Sequence, residues 1–119
     1  GFCFGGGNVL ELDRSGRNVA GVVTFHGSLG TPQPATKGGV KTKILVLHGA
    51  DDPAAPKAQR DALEAEMRAA GVDYQIVAFS GTVHSFTDPN AKRPGRSMYN
   101  PKVAKRSYAM MNSFFAEIF

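Results

Sequence analysis

Apolar residues gather along this chain in blocks with two different periods. The run Ile44-Leu45-Val46-Leu47 is unbroken and stops at His48-Gly49. A segment apolar on both faces is the pattern of a strand buried in the middle of a parallel sheet. A second such run, Val19-Ala20-Gly21-Val22-Val23-Thr24-Phe25, ends at His26-Gly27, and a third segment, Asp73 to Phe79, alternates and also reads as a strand. Between them, Ala58 to Ala70 carries Ala62, Leu63, Met67 and Ala70 on one helical stripe, with Gly71 as the stop. The glycine-rich opening Gly1 to Gly7 reads as a tight turn that feeds a short helix from Asn8 to Ser15. Ser28 to Gly39 is a loop, and Ser80 to Gly95 is irregular. Asn100 is a good N-cap with Pro101 at the first helical position. From there a last helix runs to the C-terminus, with Val103, Ala104, Tyr108, Met111, Phe114, Phe115 and Ile118 expected to face the sheet.

Strands that alternate with helices predict an α/β fold, about three parallel strands flanked by helices and joined by right-handed crossovers. At 119 residues, with 42% hydrophobic and 20% charged residues, the chain has the composition of one soluble globular domain. No apolar run approaches a membrane span and no signal peptide is visible, so no membrane partner and a cytoplasmic location are expected. One cysteine excludes an internal disulfide and argues against a cysteine-rich zinc site. The net charge of +4 comes largely from Lys92-Arg93, Arg96, Lys102 and Lys105-Arg106. These residues lack interleaved aromatics on a repeated spacing, so they read as a solvated face that would draw anionic substrates, and no nucleic-acid partner is expected.

The chemistry collects at the carboxyl ends of the strands, where ligands bind in such sheets. Gly1-Phe2-Cys3-Phe4-Gly5 has the form Gly-x-nucleophile-x-Gly, in which glycines relieve crowding around a strained turn. A cysteine there would hold its thiolate at a helix N-terminus, where the dipole favours negative charge. Asp51 or Asp52 follows the second strand, and His84 lies beyond the third. The order nucleophile, acid, histidine is that of a hydrolase triad, with the histidine taking the thiol proton and the aspartate fixing its tautomer. On spacing alone the aspartates would be ordinary turn residues, and Cys3 a buried inert thiol. His26 and His48 also follow strands directly, where they would contact substrate or fix loop geometry. No two of these candidate ligands share a metal-type spacing on one element, so neither a metal nor a cofactor is expected.

Gly-Phe-Cys-Phe-Gly-Gly at residues 1–6, Phe25-His26-Gly27, Leu47-His48-Gly49-Ala50-Asp51-Asp52-Pro53 and Val83-His84-Ser85-Phe86-Thr87 occur together and in order. With Tyr99-Asn100 and the ending Phe114 to Phe119, they resemble the dienelactone hydrolase family of α/β-hydrolases across essentially the whole chain. The family's Gly-x-x-Asp-x-x-Val-Pro turn, laid on Gly49 to Pro56, selects Asp52. The resemblance implies Cys3 as nucleophile, His84 as base, Asp52 as acid and the Phe4 backbone N–H as an oxyanion-hole donor. It implies an ester or lactone as the small-molecule substrate, cleaved through an acyl-enzyme. Members that act on dienelactones carry an arginine just after the histidine; Thr87-Asp88 stands here, which points to another ester or lactone.

The resemblance begins at the nucleophile turn. The expectation is therefore a single partial domain over residues 1–119, the C-terminal half of the fold with the N-terminal half absent. In that case the strand Val19 to Phe25 would present an apolar unpaired edge, which invites pairing with another chain. A homodimer or larger assembly through the exposed sheet follows, and with it the alternative of a catalytically inactive, self-associating remnant.

Overall fold

The computed structural model describes residues 1–119. In chain order they form α1 (Phe4–Arg14), β1 (Gly21–Phe25), β2 (Lys43–Gly49), α2 (Lys57–Ala70), β3 (Asp73–Phe79), β4 (Lys92–Arg93), β5 (Ser97–Met98) and α3 (Pro101–Ile118). β1, β2 and β3 make one parallel sheet in that spatial order, with Val22 beside Ile44 and Ile44 beside Tyr74. β4 and β5 form a separate antiparallel pair.

The apolar run of β2 is buried because the strand is central and both faces are covered. Side chains alternate across a sheet. Ile44 and Val46 join Val22, with Leu10 of α1 and Leu63, Met67 and Ala70 of α2, in one core. Leu45 and Leu47 join Val23, Phe25, Phe79, Phe86 and Val103 of α3 in the other. Each of the four β2 side chains is 1% exposed or less, and burial of one such side chain is worth about 1.5–3 kcal/mol. The central strand is thereby buried on both faces, and it carries the loop that follows from the middle of the core.

Several boundaries differ from the sequence pattern. α1 starts at Phe4, not at Asn8, so three glycines lie inside a helix where their intrinsic preference is poor. Packing explains it: a Cβ on Gly6 would collide with Thr24 Oγ1 and lie 2.9 Å from Gly27 Cα, so only glycine lets α1 rest on the end of β1. β1 begins at Gly21, not at Val19. Ala62 is exposed, leaving Leu63, Met67 and Ala70 as the buried stripe of α2. Tyr108 of α3 is 38% exposed, whereas the polar Ser107 beside it is buried, with its hydroxyl donating to Ala104 O. The Asn100 cap forms as expected, its side chain accepting the Val103 N–H.

The edge of β1 away from β2 is partly occupied by the chain's own start. The Gly1 amino group donates to Val23 O, Phe25 N–H donates to Gly1 O and Cys3 N–H donates to Phe25 O, at 2.8, 2.9 and 3.1 Å. Phe2 pairs in parallel with Phe25 and stacks on its ring at 4.5 Å between centroids. Two residues thus form a strand stub that delivers Cys3 to the end of the sheet. Beyond the stub, Phe2, Val9, Leu12, Val22, Met111 and Phe115 line an apolar groove of about 310 Å³.

α1 and α2 are tied by Arg14, whose buried guanidinium donates to both carboxylate oxygens of Glu66 at 2.7 and 2.8 Å. The neighbouring Asp13 is 1% exposed, and neither of its carboxylate oxygens has a hydrogen-bond partner. Burial pushes its pKa from 3.8 up to about 6, against the pull of Arg14 and with the help of Glu66. A raised carboxyl pKa means the folded state holds its proton longer than the unfolded state does. The stability linked to Asp13 is therefore complete below pH 4 and is lost as pH rises through about 6. The rise corresponds to ~3 kcal/mol. Asp13→Asn is expected to stabilise the fold at pH 8 by up to that amount and to leave it nearly unchanged at pH 4, as read by urea melts at the two pH values.

Candidate active site

Only three non-glycine residues have positive φ: Cys3 at 49°, His26 at 41° and Ser85 at 55°. Such conformations cost about 1–3 kcal/mol each and persist where the surrounding structure enforces them. All three converge on one atom. Cys3 Sγ lies 3.3 Å from His26 Nδ1 and 3.5 Å from Ser85 Oγ.

Each of these residues is delivered by a different part of the fold. Cys3 caps α1, between the strand stub and the helix. The side chain of Phe4 is 82% exposed. Its backbone N–H opens the first turn of α1, where helix N–H groups have no intrahelical acceptor. His26 follows β1 directly; it is buried, and its backbone N–H donates to Leu47 O. Its Nε2 is 2.8 Å from Thr87 Oγ1, so the ring is held from both sides. Burial first, then the nearby His84, lowers the His26 pKa to about 4, while Asp52 acts in the opposite sense. His26 is accordingly a neutral ring near neutral pH.

The acid side of the site grows from the end of β2. A Cβ at Gly49 would stand 2.5 Å from Thr82 O and 2.8 Å from Val83 O, so glycine lets the strand end press against the loop that carries His84. The two loops are stitched there by Ala50 N–H to Phe79 O and Asp51 N–H to Thr82 O. Of the two adjacent carboxylates, Asp51 is exposed and Asp52 is 2% exposed. Asp52 Oδ1 accepts the Ala54 N–H at 2.8 Å, and Oδ2 accepts from His84 Nδ1 at 2.9 Å. Burial by itself would raise the pKa of Asp52. The His84 and Ala54 hydrogen bonds, with the electrostatic pull of His84, outweigh it and hold the carboxyl below its usual value. His48 is fully buried and donates from Nε2 to Ala55 O at 2.9 Å, pinning the same loop. Burial lowers its pKa, so it too is a neutral ring and a brace for the Asp52 turn.

His84 is partly open to solvent, with 26% of its side chain exposed. Its backbone is clamped by the β4–β5 pair: the N–H donates to Arg96 O and the C=O accepts from Met98 N–H. With Nδ1 engaged by Asp52, Nε2 is the free nitrogen. The ligand-type atoms of Cys3, His26 and His84 all lie within 4.8 Å of one another. The structure therefore brings Cys3, Asp52 and His84 to one place, although the thiol's own hydrogen bonds run to His26 and Ser85. Ser85 and Thr87 stood in the sequence only as part of the Val83-to-Thr87 stretch, with nothing to mark Ser85 as a partner of the thiol or Thr87 as a partner of His26. His26 was marked, by following a strand and preceding glycine, but its contact with Cys3 joins residues 23 positions apart and has no pattern to betray it.

The chain matches the model of the dienelactone hydrolase family over residues 1–119. An uncharacterized protein of Caenorhabditis elegans is 33% identical over 128 residues, which span all of this chain and 78% of that protein. Among solved structures, one named m3DLH superposes with a TM-score of 0.92 at 41% identity, covering 100% of this chain and 50% of that one. A dienelactone hydrolase-like promiscuous phosphotriesterase from metagenomic libraries gives 0.88 at 40% identity, with 100% and 51% covered. The chain thus spans about half the length of these solved relatives. No helix is long and apolar enough to cross a membrane.

Proposed function

We propose a function from one premise: the chain belongs to the dienelactone hydrolase family. The reading is a hydrolase of esters or lactones that works through a Cys3 thioester. It rests above all on the hydrogen bond from His84 Nδ1 to the buried, ionised Asp52, which leaves the other ring nitrogen free on a histidine that has a ligand atom within 4.8 Å of the Cys3 sulfur.

The steps follow from these positions. The Cys3 S–H proton passes to His84 Nε2 while sulfur attacks the substrate carbonyl and forms an S–C bond. Asp52 stabilises the imidazolium that results, because its carboxylate is already charged and already oriented. The negative oxygen of the tetrahedral intermediate takes the Phe4 N–H, an open donor at the end of a helix whose dipole favours negative charge. Collapse breaks the C–O bond, and His84 returns its proton to the departing alkoxide, which in a lactone stays tethered. Water then attacks the thioester with His84 again as base, releasing the acid and restoring the thiol. His26 is poorly suited to the base's role despite its closeness to sulfur. A ring whose pKa is held to about 4 binds a thiol proton weakly at neutral pH. His26 and Ser85 instead hold the resting thiol in place, and catalytic hydrogen bonds are often longer in the free protein than in the substrate complex.

The test is a 4-nitrophenyl acetate assay on the full chain. It should show a burst of nitrophenolate equal to one per chain, followed by slower turnover, both abolished by iodoacetamide. Neither burst nor turnover would sink this reading and leave self-association at the open groove beside β1 as the alternative.

A further inference from the structure

We propose that Cys3, His26 and His84 form a binding site for one zinc ion, which holds the nucleophile out of reaction for as long as it is bound. The proposal goes beyond ester hydrolysis and does not depend on turnover, since it rests on the arrangement of three donor atoms.

Tetrahedral zinc takes thiolate sulfur at about 2.3 Å and imidazole nitrogen at about 2.0–2.1 Å, so neighbouring ligand atoms stand about 3.5 Å apart. Cys3 Sγ and His26 Nδ1 are already 3.3 Å apart, and the full set of Cys3, His26 and His84 ligand atoms falls within 4.8 Å. Closing on an ion requires sub-ångström to ångström adjustments at His84, whose side chain is the most open of the imidazoles here.

The outer partners suit a metal as well. A ligating histidine nearly always donates its other ring N–H to a carboxylate, backbone carbonyl or water, which fixes the tautomer and makes the free nitrogen more basic, and a hydroxyl oxygen can accept in the same way. His84 does this through Nδ1 to Asp52 Oδ2, leaving Nε2 free. His26 has the mirrored arrangement, with Nε2 against Thr87 Oγ1 and Nδ1 toward the sulfur. Each ring thus keeps one nitrogen with a lone pair available, His26 Nδ1 at 3.3 Å from the sulfur and His84 Nε2 left over by the Asp52 bond. Three protein ligands with a fourth position open is the form of an accessible zinc site. On binding, a Zn–S bond forms, the thiol proton is released to water, and water fills the fourth position. Both the sulfur and the free nitrogen of His84 are then engaged by the ion, so zinc and substrate compete for the same atoms.

Spacing arguments miss such a site because its ligands come from three elements: the stub before α1, the end of β1 and the loop after β3. The experiment is a titration of the reduced, metal-free full chain with Co²⁺ as a spectroscopic stand-in, followed by displacement with Zn²⁺. The expected result is saturation at one equivalent, with intense visible bands of four-coordinate cobalt and a thiolate-to-cobalt charge-transfer band that Zn²⁺ removes. Cys3→Ser should lose the charge-transfer band, and His26→Ala should weaken binding at least ~10-fold, the lower scale seen when even an outer partner is lost. Circular dichroism checks that both variants fold, and in the unsubstituted chain Zn²⁺ should slow alkylation of Cys3 by iodoacetamide. No saturable binding, a spectrum unchanged in Cys3→Ser, or an alkylation rate indifferent to Zn²⁺ would each overturn the proposal. A chain that binds zinc yet hydrolyses no ester would keep this site and remove the hydrolase reading; an active chain indifferent to zinc would do the reverse.

Discussion

Cys3→Ala is expected to remove ester hydrolysis almost completely, lowering kcat/KM by at least about 10,000-fold, the scale on which loss of a nucleophile acts in such triads. The expected fall is that large because nothing nearby can replace the sulfur. Ser85 Oγ lies 3.5 Å from it and is the nearest alternative hydroxyl, but it stands on the loop after β3 and not on the helix end that offers the Phe4 N–H. The oxyanion donor and the attacking atom would then no longer be presented by one turn. The substitution itself is mild for the fold: the backbone bond from Cys3 N–H to Phe25 O and the pairing of Phe2 with β1 do not involve the side chain. Alanine does keep the strained φ of 49°, so a melting curve alongside the kinetics separates lost chemistry from lost structure.

Asp52→Asn is expected to lower kcat by about 1,000- to 10,000-fold, with a smaller effect on KM. The buried carboxylate accepts from both Ala54 N–H and His84 Nδ1. Asparagine keeps the size and can still accept from Ala54, but its amide then presents N–H toward His84. The ring would turn to the opposite tautomer, with Nδ1 as acceptor and Nε2 carrying the proton. A protonated Nε2 cannot take the thiol proton, and no carboxylate remains to support an imidazolium. The distinguishing readout is the pH dependence: the rate should stay low at every pH where the parent chain is active. Equal kcat in the two proteins would remove Asp52 from the mechanism.

What the sequence made legible is the part of the fold that depends on local pattern. The apolar run of β2 announces a central strand, and Gly71 and Asn100-Pro101 mark helix ends, because burial, capping and proline geometry act within a few residues. Local pattern left Asp51 and Asp52 open as the acid; the resemblance selected Asp52, and it could do so because the Gly49-to-Pro56 turn is contiguous. The start of α1 was not legible. Three glycines argue against a helix locally, and the reason they are tolerated there is the close approach of Gly6 to Thr24 of β1 and to Gly27 just beyond it, a contact remote in sequence. The β4–β5 pair is likewise two residues per strand, too short to leave a period, yet it clamps the backbone of His84. Within the site, the contacts from Cys3 to His26 and Ser85 and from His26 to Thr87 join residues 23, 82 and 61 positions apart. Their common mark, left-handed backbone at Cys3, His26 and Ser85, is a property of the folded chain alone.

In the proposed mechanism Cys3 carries the acyl group during turnover. That step is tested most directly by acid-quenching the full chain during steady-state hydrolysis of 4-nitrophenyl acetate and weighing the intact protein, then its peptides. The expected result is a single acetyl adduct, located on the peptide that contains Cys3, discharged by hydroxylamine and missing from the Cys3→Ala protein. Turnover without any adduct on Cys3, sustained at the same rate by Cys3→Ala, would contradict it.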